Sequence, residues 1–184
     1  MGEKKNFALV RKPSSAVERA APGAKRILSG MVADALVLAQ NVDADVLYQK
    51  YRIYRNLRQF DYAHSLLRRS AELGHSEAMY HCGLCCLTGE SGFSWDPKQS
   101  FNWVLKAAER GYKDAQFHIG VLYTKPPSFY LFLSQDLSEA YKWLKLASDQ
   151  DKSISEIFRS HSSTMTSNQL QEGERRYGDF RLQK

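Results

Sequence analysis

GHSEAMYHCGLCCLTGESGFSWDPKQSFNWVLKAAERGYKDA, residues 74–115, opens and closes on the same pattern. It begins with Gly74-x-x-x-Ala78 and ends with Gly111-x-x-x-Ala115, so one period is 37 residues. Working outward, the same frame recurs on both sides. Upstream stands Ala63-x-x-Leu66-x-x-Arg69-Ser70-Ala71-x-x-Gly74; the central copy reads Ser100-x-x-Trp103-x-x-Lys106-Ala107-Ala108-x-x-Gly111; downstream stands Ala140-x-x-Trp143-x-x-Leu146-Ala147-Ser148. Self-similarity at such a period is the signature of a repeat array. Gly74 and Gly111 each follow a helical pattern, at the position where a left-handed residue ends a helix. Ala78, Gly83, Ala115 and Gly120 are small residues on one helix face, which lets a neighbouring helix approach closely. Leu66, Trp103 and Trp143 are bulky and fill the space so created, so both tryptophans are expected in the core. Each unit is then an antiparallel helix pair whose apolar face is buried only by stacking on the next unit.

The second unit, with Ala78, Gly83, Gly89, Gly92, Asp96, Trp103, Lys106, Ala107, Ala108 and Gly111 in register, resembles the Sel1-like repeat family, α-solenoids related to tetratricopeptide repeats. It departs from the family pattern at Cys82, Cys86, Phe93, Gln99 and Ser100. The third unit matches at Ala115, Ile119, Gly120, Tyr123, Asp136, Ala140, Trp143 and Ala147, but its loop is longer: 13 residues from Tyr123 to Asp136, against 10 from Cys86 to Asp96. Asp151 stands where the closing glycine belongs, so that helix must end differently. The first unit is degenerate, with a first helix over Asp45 to Arg55, capped by Asp43, and a turn near Asn56. The resemblance covers about residues 44–182. It implies an all-α fold: a short solenoid of helix-turn-helix repeats over 44–163 and a C-terminal capping helix over 164–184, with Thr166 or Ser167 as its N-cap. Ahead of the array, 1–22 reads as a disordered basic tail. A helix over 24–40, within segment 23–43, follows Pro22-Gly23.

Composition narrows the function classes. The chain has 184 residues, 43% hydrophobic and 25% charged, with a net charge of +6. Residues 1–26 hold seven basic side chains (Lys4, Lys5, Arg11, Lys12, Arg19, Lys25, Arg26) against Glu3 and Glu18, so almost the whole excess lies there. A nucleic-acid-binding domain carries its basic patch on the fold, which disfavours nucleic acid as the partner of the array. The richest apolar run, Ile27 to Ala39, contains Asp34 and falls short of the ~20 residues that span a bilayer. Phe7–Val10 is too short for the core of a signal peptide. The expectation is a cytoplasmic protein with no membrane span.

Three cysteines, Cys82, Cys85 and Cys86, cluster within five residues. An odd, clustered set makes no disulfide framework. His81-Cys82-x-x-Cys85-Cys86 lacks the second ligand pair of a structural zinc site, so no metal and no cofactor is expected and the thiols read as small buried groups. Asp96 and Asp136 recur just before a helix and read as N-caps rather than as a catalytic pair. The chain has no Gly-rich phosphate loop and no Gly-x-Ser-x-Gly, so no catalytic residue is expected and the chain is read as a non-enzyme.

What remains is surface. The other face of the first helices presents Tyr80, Leu84 and Leu87, then Phe117, Val121 and Thr124, with Tyr48, Arg52 and Arg55 at matching positions of the first unit; these side chains either line a groove or pack between adjacent repeats. His81 and His118 are equivalent by repeat. The long loop over 125–135 carries Phe129, Tyr130, Leu131, Phe132 and Leu133 in succession. Such a run either folds back on neighbouring helices or marks an interaction site. The candidate partner-binding residues are Tyr80, Leu84, Phe117, His118, Val121, Phe129, Tyr130 and Phe132. By resemblance the chain would be an adaptor or scaffold, monomeric or weakly dimeric, holding a peptide or a partner domain in a solenoid groove. A basic-tailed regulator touching nucleic acid or an anionic membrane, and an enzyme accessory subunit, are the competing readings.

Overall fold

A computed structural model describes residues 43–90 and 92–183. The tail expected over 1–22 and the helix expected over 24–40 lie outside the described residues. Every regular element among the described residues is helical. Three antiparallel pairs follow one another: α1 (Ala44–Asn56) with α2 (Phe60–Glu72), α3 (Ser76–Thr88) with α4 (Pro97–Glu109), and α5 (Lys113–Thr124) with α6 (Leu137–Gln150). A 3-10 turn over Lys152–Ile154, a short helix α7 (Ser155–Ser162) and a long helix α8 (Ser167–Leu182) close the array.

The element boundaries follow from local chemistry. Asp43, Asp96 and Asp136 cap α1, α4 and α6, each carboxylate accepting a backbone N–H at 2.9–3.0 Å. The caps satisfy donors that the first helical turn leaves open. Gly74 and Gly111 end α2 and α4 with φ of 101° and 89°, a conformation that costs other residues a steric clash. Asp151, lacking that freedom, ends α6 in an extended conformation. Its carboxylate instead takes the Ser153 N–H and the Lys113 ammonium, the latter at 2.7 Å. Thr166 caps α8 in a reciprocal capping box with Gln169. The loops within the second and third pairs are closed by one equivalent bond: Asp96 N–H donates to the Cys86 carbonyl at 2.9 Å and Asp136 N–H to the Tyr123 carbonyl at 3.0 Å. The three extra residues of the third unit bulge between unchanged ends.

The core is the small-against-large seam of the repeat. Ala63, Leu66, Ala71, Ala78, Cys82, Ala107, Ala108, Ala115, Ile119 and Ala147 have no exposed surface. Trp143 is 2% exposed. Its indole N–H donates to Glu139 at 2.9 Å, and Phe180 of α8 meets the ring edge-on at 5.2 Å. Trp103 departs from the expectation of a core residue. It is only half-buried, with the Lys106 ammonium 5.2 Å above its ring and an open depression beside it lined by Ala71, Glu72, Met79 and Arg110. The frame is the same at both tryptophans; the cover differs, because α8 lies on α6 and supplies Phe180 at Trp143. Further links from α8 hold it there: Ser138 Oγ to the Gln169 carbonyl, Arg176 to Asp136 and Glu139, and Tyr177 to Asp149.

Candidate functional site

The first helices α1, α3 and α5 are joined by a row of rings. Tyr48 of α1 stacks on His75 at 4.3 Å and lies 6.1 Å from His81 of α3. Tyr51 of α1 also reaches His81, at 6.1 Å. His81 adjoins Tyr80 at 5.8 Å; Tyr80 meets Tyr112 at 5.4 Å and, edge-on, His118 of α5 at 6.0 Å. The repeat explains the row: His81 and His118 occupy equivalent positions one period apart, and the helices that carry them stand side by side. Tyr48 and Tyr51 are buried at its first end, while Tyr80, His81, Tyr112 and His118 are half-buried. Tyr48 is thus a packing residue, although its repeat position matches a surface candidate.

Burial pushes the His81 and His118 imidazoles below their ordinary value, so both stay uncharged. Burial also raises the phenols of Tyr48, Tyr80 and Tyr112, and takes Tyr51 up to about 12. All four remain protonated. Such a face offers flat apolar surface and hydroxyl or imidazole hydrogen bonds, with Glu77 and Asp114 beside the phenols of Tyr48 and Tyr112. Leu84 and Phe117 are half-buried on α3 and α5, and Val121 is exposed.

The loop after α5 forms a second cluster, built on α4. Tyr130 is 2% exposed and packs among Phe101, Phe129 and Phe132 at 6.4, 4.8 and 5.6 Å. Phe132 also contacts Phe101, at 5.6 Å. A turn from the Tyr130 N–H to the Pro127 carbonyl aims that one side chain inward. Phe129 and Phe132 flank it, each nearly half exposed, and Leu131 is 93% exposed. The loop therefore both folds back, through Tyr130, and leaves an apolar edge in water. Tyr130→Ser should lower the melting temperature of the monomer clearly, and Leu131→Ser should leave it within about a degree, since surface changes are usually within ±0.5 kcal/mol. Equal melts for the two variants would contradict this division.

The cysteine cluster is pulled apart by its helix. His81 joins the aromatic row. Cys82 is fully buried, Cys86 Sγ donates to Gln99 Oε1 at 3.2 Å, and Cys85 turns toward His64 of α2. All three are free thiols. Burial pushes each thiol up, Cys85 to about 12, so none is a ready nucleophile. Sequence spacing missed Tyr51, His75 and Tyr112 of the row; the repeat equivalence of His81 and His118 was the available signal.

Comparison with known proteins agrees with the repeat fold. The family model described as Sel1 repeat matches residues 53–75, 76–112 and 113–152. The chain is 32% identical over 103 residues to a chitin synthase regulator of Saccharomyces cerevisiae, a match that takes in 54% of this chain and 14% of that protein. The chain thus spans a small part of that relative's length. Among solved structures, a protective antigen of uropathogenic Escherichia coli with an SLR fold superposes with a TM-score of 0.66 at 25% identity, covering 89% of this chain and 35% of the other. A Sel1 repeat protein from Oxalobacter formigenes gives 0.58 at 25% identity, covering 73% of this chain and 98% of that one.

Proposed function

Since this chain belongs to the Sel1 repeat family, we propose that it is a non-catalytic adaptor, holding a peptide or partner protein against the face formed by its first helices. The observation that carries this reading is the continuous row Tyr48–His81–Tyr80–His118, which crosses three repeats and remains half-buried at Tyr80 and His118. Aromatic side chains that are rigid, apolar on their faces and polar at one end are what interface centres use. Leu84, Phe117 and Val121 border the row, and Phe129, Leu131 and Phe132 supply a second apolar edge. No helix among the described residues is long and apolar enough to cross a membrane.

The test is affinity capture with quantitative mass spectrometry on the full chain, paired with variants. Val121→Glu places a charge on an exposed position of α5. It should leave the melt unchanged and deplete the captured partner. Capture that survives both Val121→Glu and Leu84→Glu, in variants that melt like the parent, would overturn the face assignment. A salt series separates the competing reading through the basic segment 1–26, because phosphate or headgroup binding through lysines and arginines weakens steeply with salt, whereas apolar contacts on an aromatic face weaken far less. An enzyme accessory subunit would instead purify as a fixed complex. Light scattering decides between a monomer and a weak dimer.

A further inference from the structure

The side chains of His64, Cys85 and Glu90 converge on one point although they come from two helices and a loop. His64 lies on α2, 3% exposed, on the face that packs against α3. Cys85 lies on the last turns of α3, 5% exposed. Gly89 ends that helix, and the Phe93 N–H donates to the Glu90 carbonyl at 2.7 Å. The chain thereby turns back and brings the Glu90 carboxylate over Cys85. Phe93 packs edge-on against the His64 ring at 5.6 Å and fixes its orientation.

The separations lie within about 0.3 Å of those between ligands of a tetrahedral ion, so a small inward shift of Cys85 would close the site. Cys85 Sγ is 3.9 Å from His64 Nε2 and 3.8 Å from Glu90 Oε2, and His64 Nε2 is 3.3 Å from Glu90 Oε2. A tetrahedral zinc ion with ordinary Zn–S, Zn–N and Zn–O bonds sets its ligand atoms about 3.6, 3.5 and 3.3 Å apart in the same order. The donor set of one thiolate, one imidazole and one carboxylate suits a borderline-soft divalent ion. It is much less suited to calcium or magnesium, which take oxygen ligands. Access is open, because the Glu90 side chain is 48% exposed and a surface depression lined by His64, Arg68 and Gly92 leads to the cluster.

We propose that His64, Cys85 and Glu90 form a three-residue zinc site whose fourth position is taken by water. On binding, the Cys85 thiol gives its proton to solvent and the thiolate, the neutral imidazole and the carboxylate bind the ion. The ion ties the first repeat to the second through the loop that follows α3. Spacing within the cysteine cluster pointed away from metal, because the imidazole comes from 21 residues upstream.

The test uses the full chain, reduced with a non-coordinating phosphine and stripped by a chelator. Cobalt(II) titration should give a near-ultraviolet thiolate-to-metal absorption that saturates at one ion per chain and is displaced by zinc. Cys85→Ser should abolish the band, while Cys82→Ser and Cys86→Ser should retain it. Glu90→Gln changes only a loop side chain. It should weaken zinc at least about tenfold in competition with a chromophoric chelator, no less than the loss of an outer-shell partner does. This last variant keeps the test decisive if Cys85→Ser fails to fold. Absence of the band in the parent protein, a band that survives Cys85→Ser, or unchanged zinc affinity in Glu90→Gln would overturn the site.

Discussion

Trp143→Ala should destabilise the protein by about 3–5 kcal/mol, the range for truncating a large aromatic residue in a core, while Trp103→Ala should cost only about 1 kcal/mol, an ordinary substitution cost. The two residues share one position of the repeat, so the difference isolates the effect of what covers them. At Trp143 the change empties a site 2% exposed, removes the indole N–H donor to Glu139, and leaves Phe180 without the ring it packs against. Loss of that contact also loosens α8, which is then held by the polar links from Ser138, Arg176 and Tyr177 and by its packing on Tyr141. At Trp103 the ring already borders an open depression, and water fills much of the vacated space. Denaturant unfolding gives the two stabilities. Hydrogen exchange locates the damage, since each repeat contacts only its neighbours and unfolding need not be all-or-none. For Trp143→Ala, α8 and α6 should lose protection before α1 and α2. Equal losses for the two variants would mean that α8 is not what buries Trp143.

Gly83→Val should cost about 3 kcal/mol, at the upper end of what overpacking usually costs. A Cβ at position 83 would stand 2.5 Å from Val104 Cγ2 and 3.0 Å from the Ser100 carbonyl oxygen. Val104 is a β-branched residue with one favoured rotamer in a helix, and the carbonyl belongs to the α4 backbone, so neither can swing aside. The helix pair must part. Gly178 supplies the contrast: it also lies inside a helix, yet a Cβ there meets nothing within 4 Å. Gly178→Ala should therefore stabilise the protein by about 1 kcal/mol through helix propensity alone. A chemical melt of both variants checks the pair. Gly83→Val unfolding at the parent's denaturant midpoint would show that α3 and α4 do not pack as closely as the repeat requires.

The repeat frame was legible in the sequence because it rests on local rules. A glycine where the chain must turn left-handed, an aspartate where backbone N–H groups lack partners, and small residues at helical spacing opposite large ones each act within a few residues. Those rules place α2 through α6 and their caps at Asp96 and Asp136, and they identify Thr166 as one of two possible caps for α8. The faces were less legible, because cover depends on which distant element lies on top. Trp103 and Trp143 read alike along the chain, and only α8 separates them. The loop over 125–135 reads as a uniform apolar run, yet one backbone turn sends Tyr130 inward and leaves Leu131 in water. His81 and Cys85 read as one cluster, but they stand one turn apart on α3 and meet different neighbours. His81 enters a ring row with Tyr48, Tyr80 and His118, and Cys85 meets His64 and Glu90. Neighbours along a helix diverge by about 100° per residue, whereas residues far apart in the chain meet wherever two helices stack. Periodicity determines which helices form and pair; the packing of those helices decides which side chains share a site.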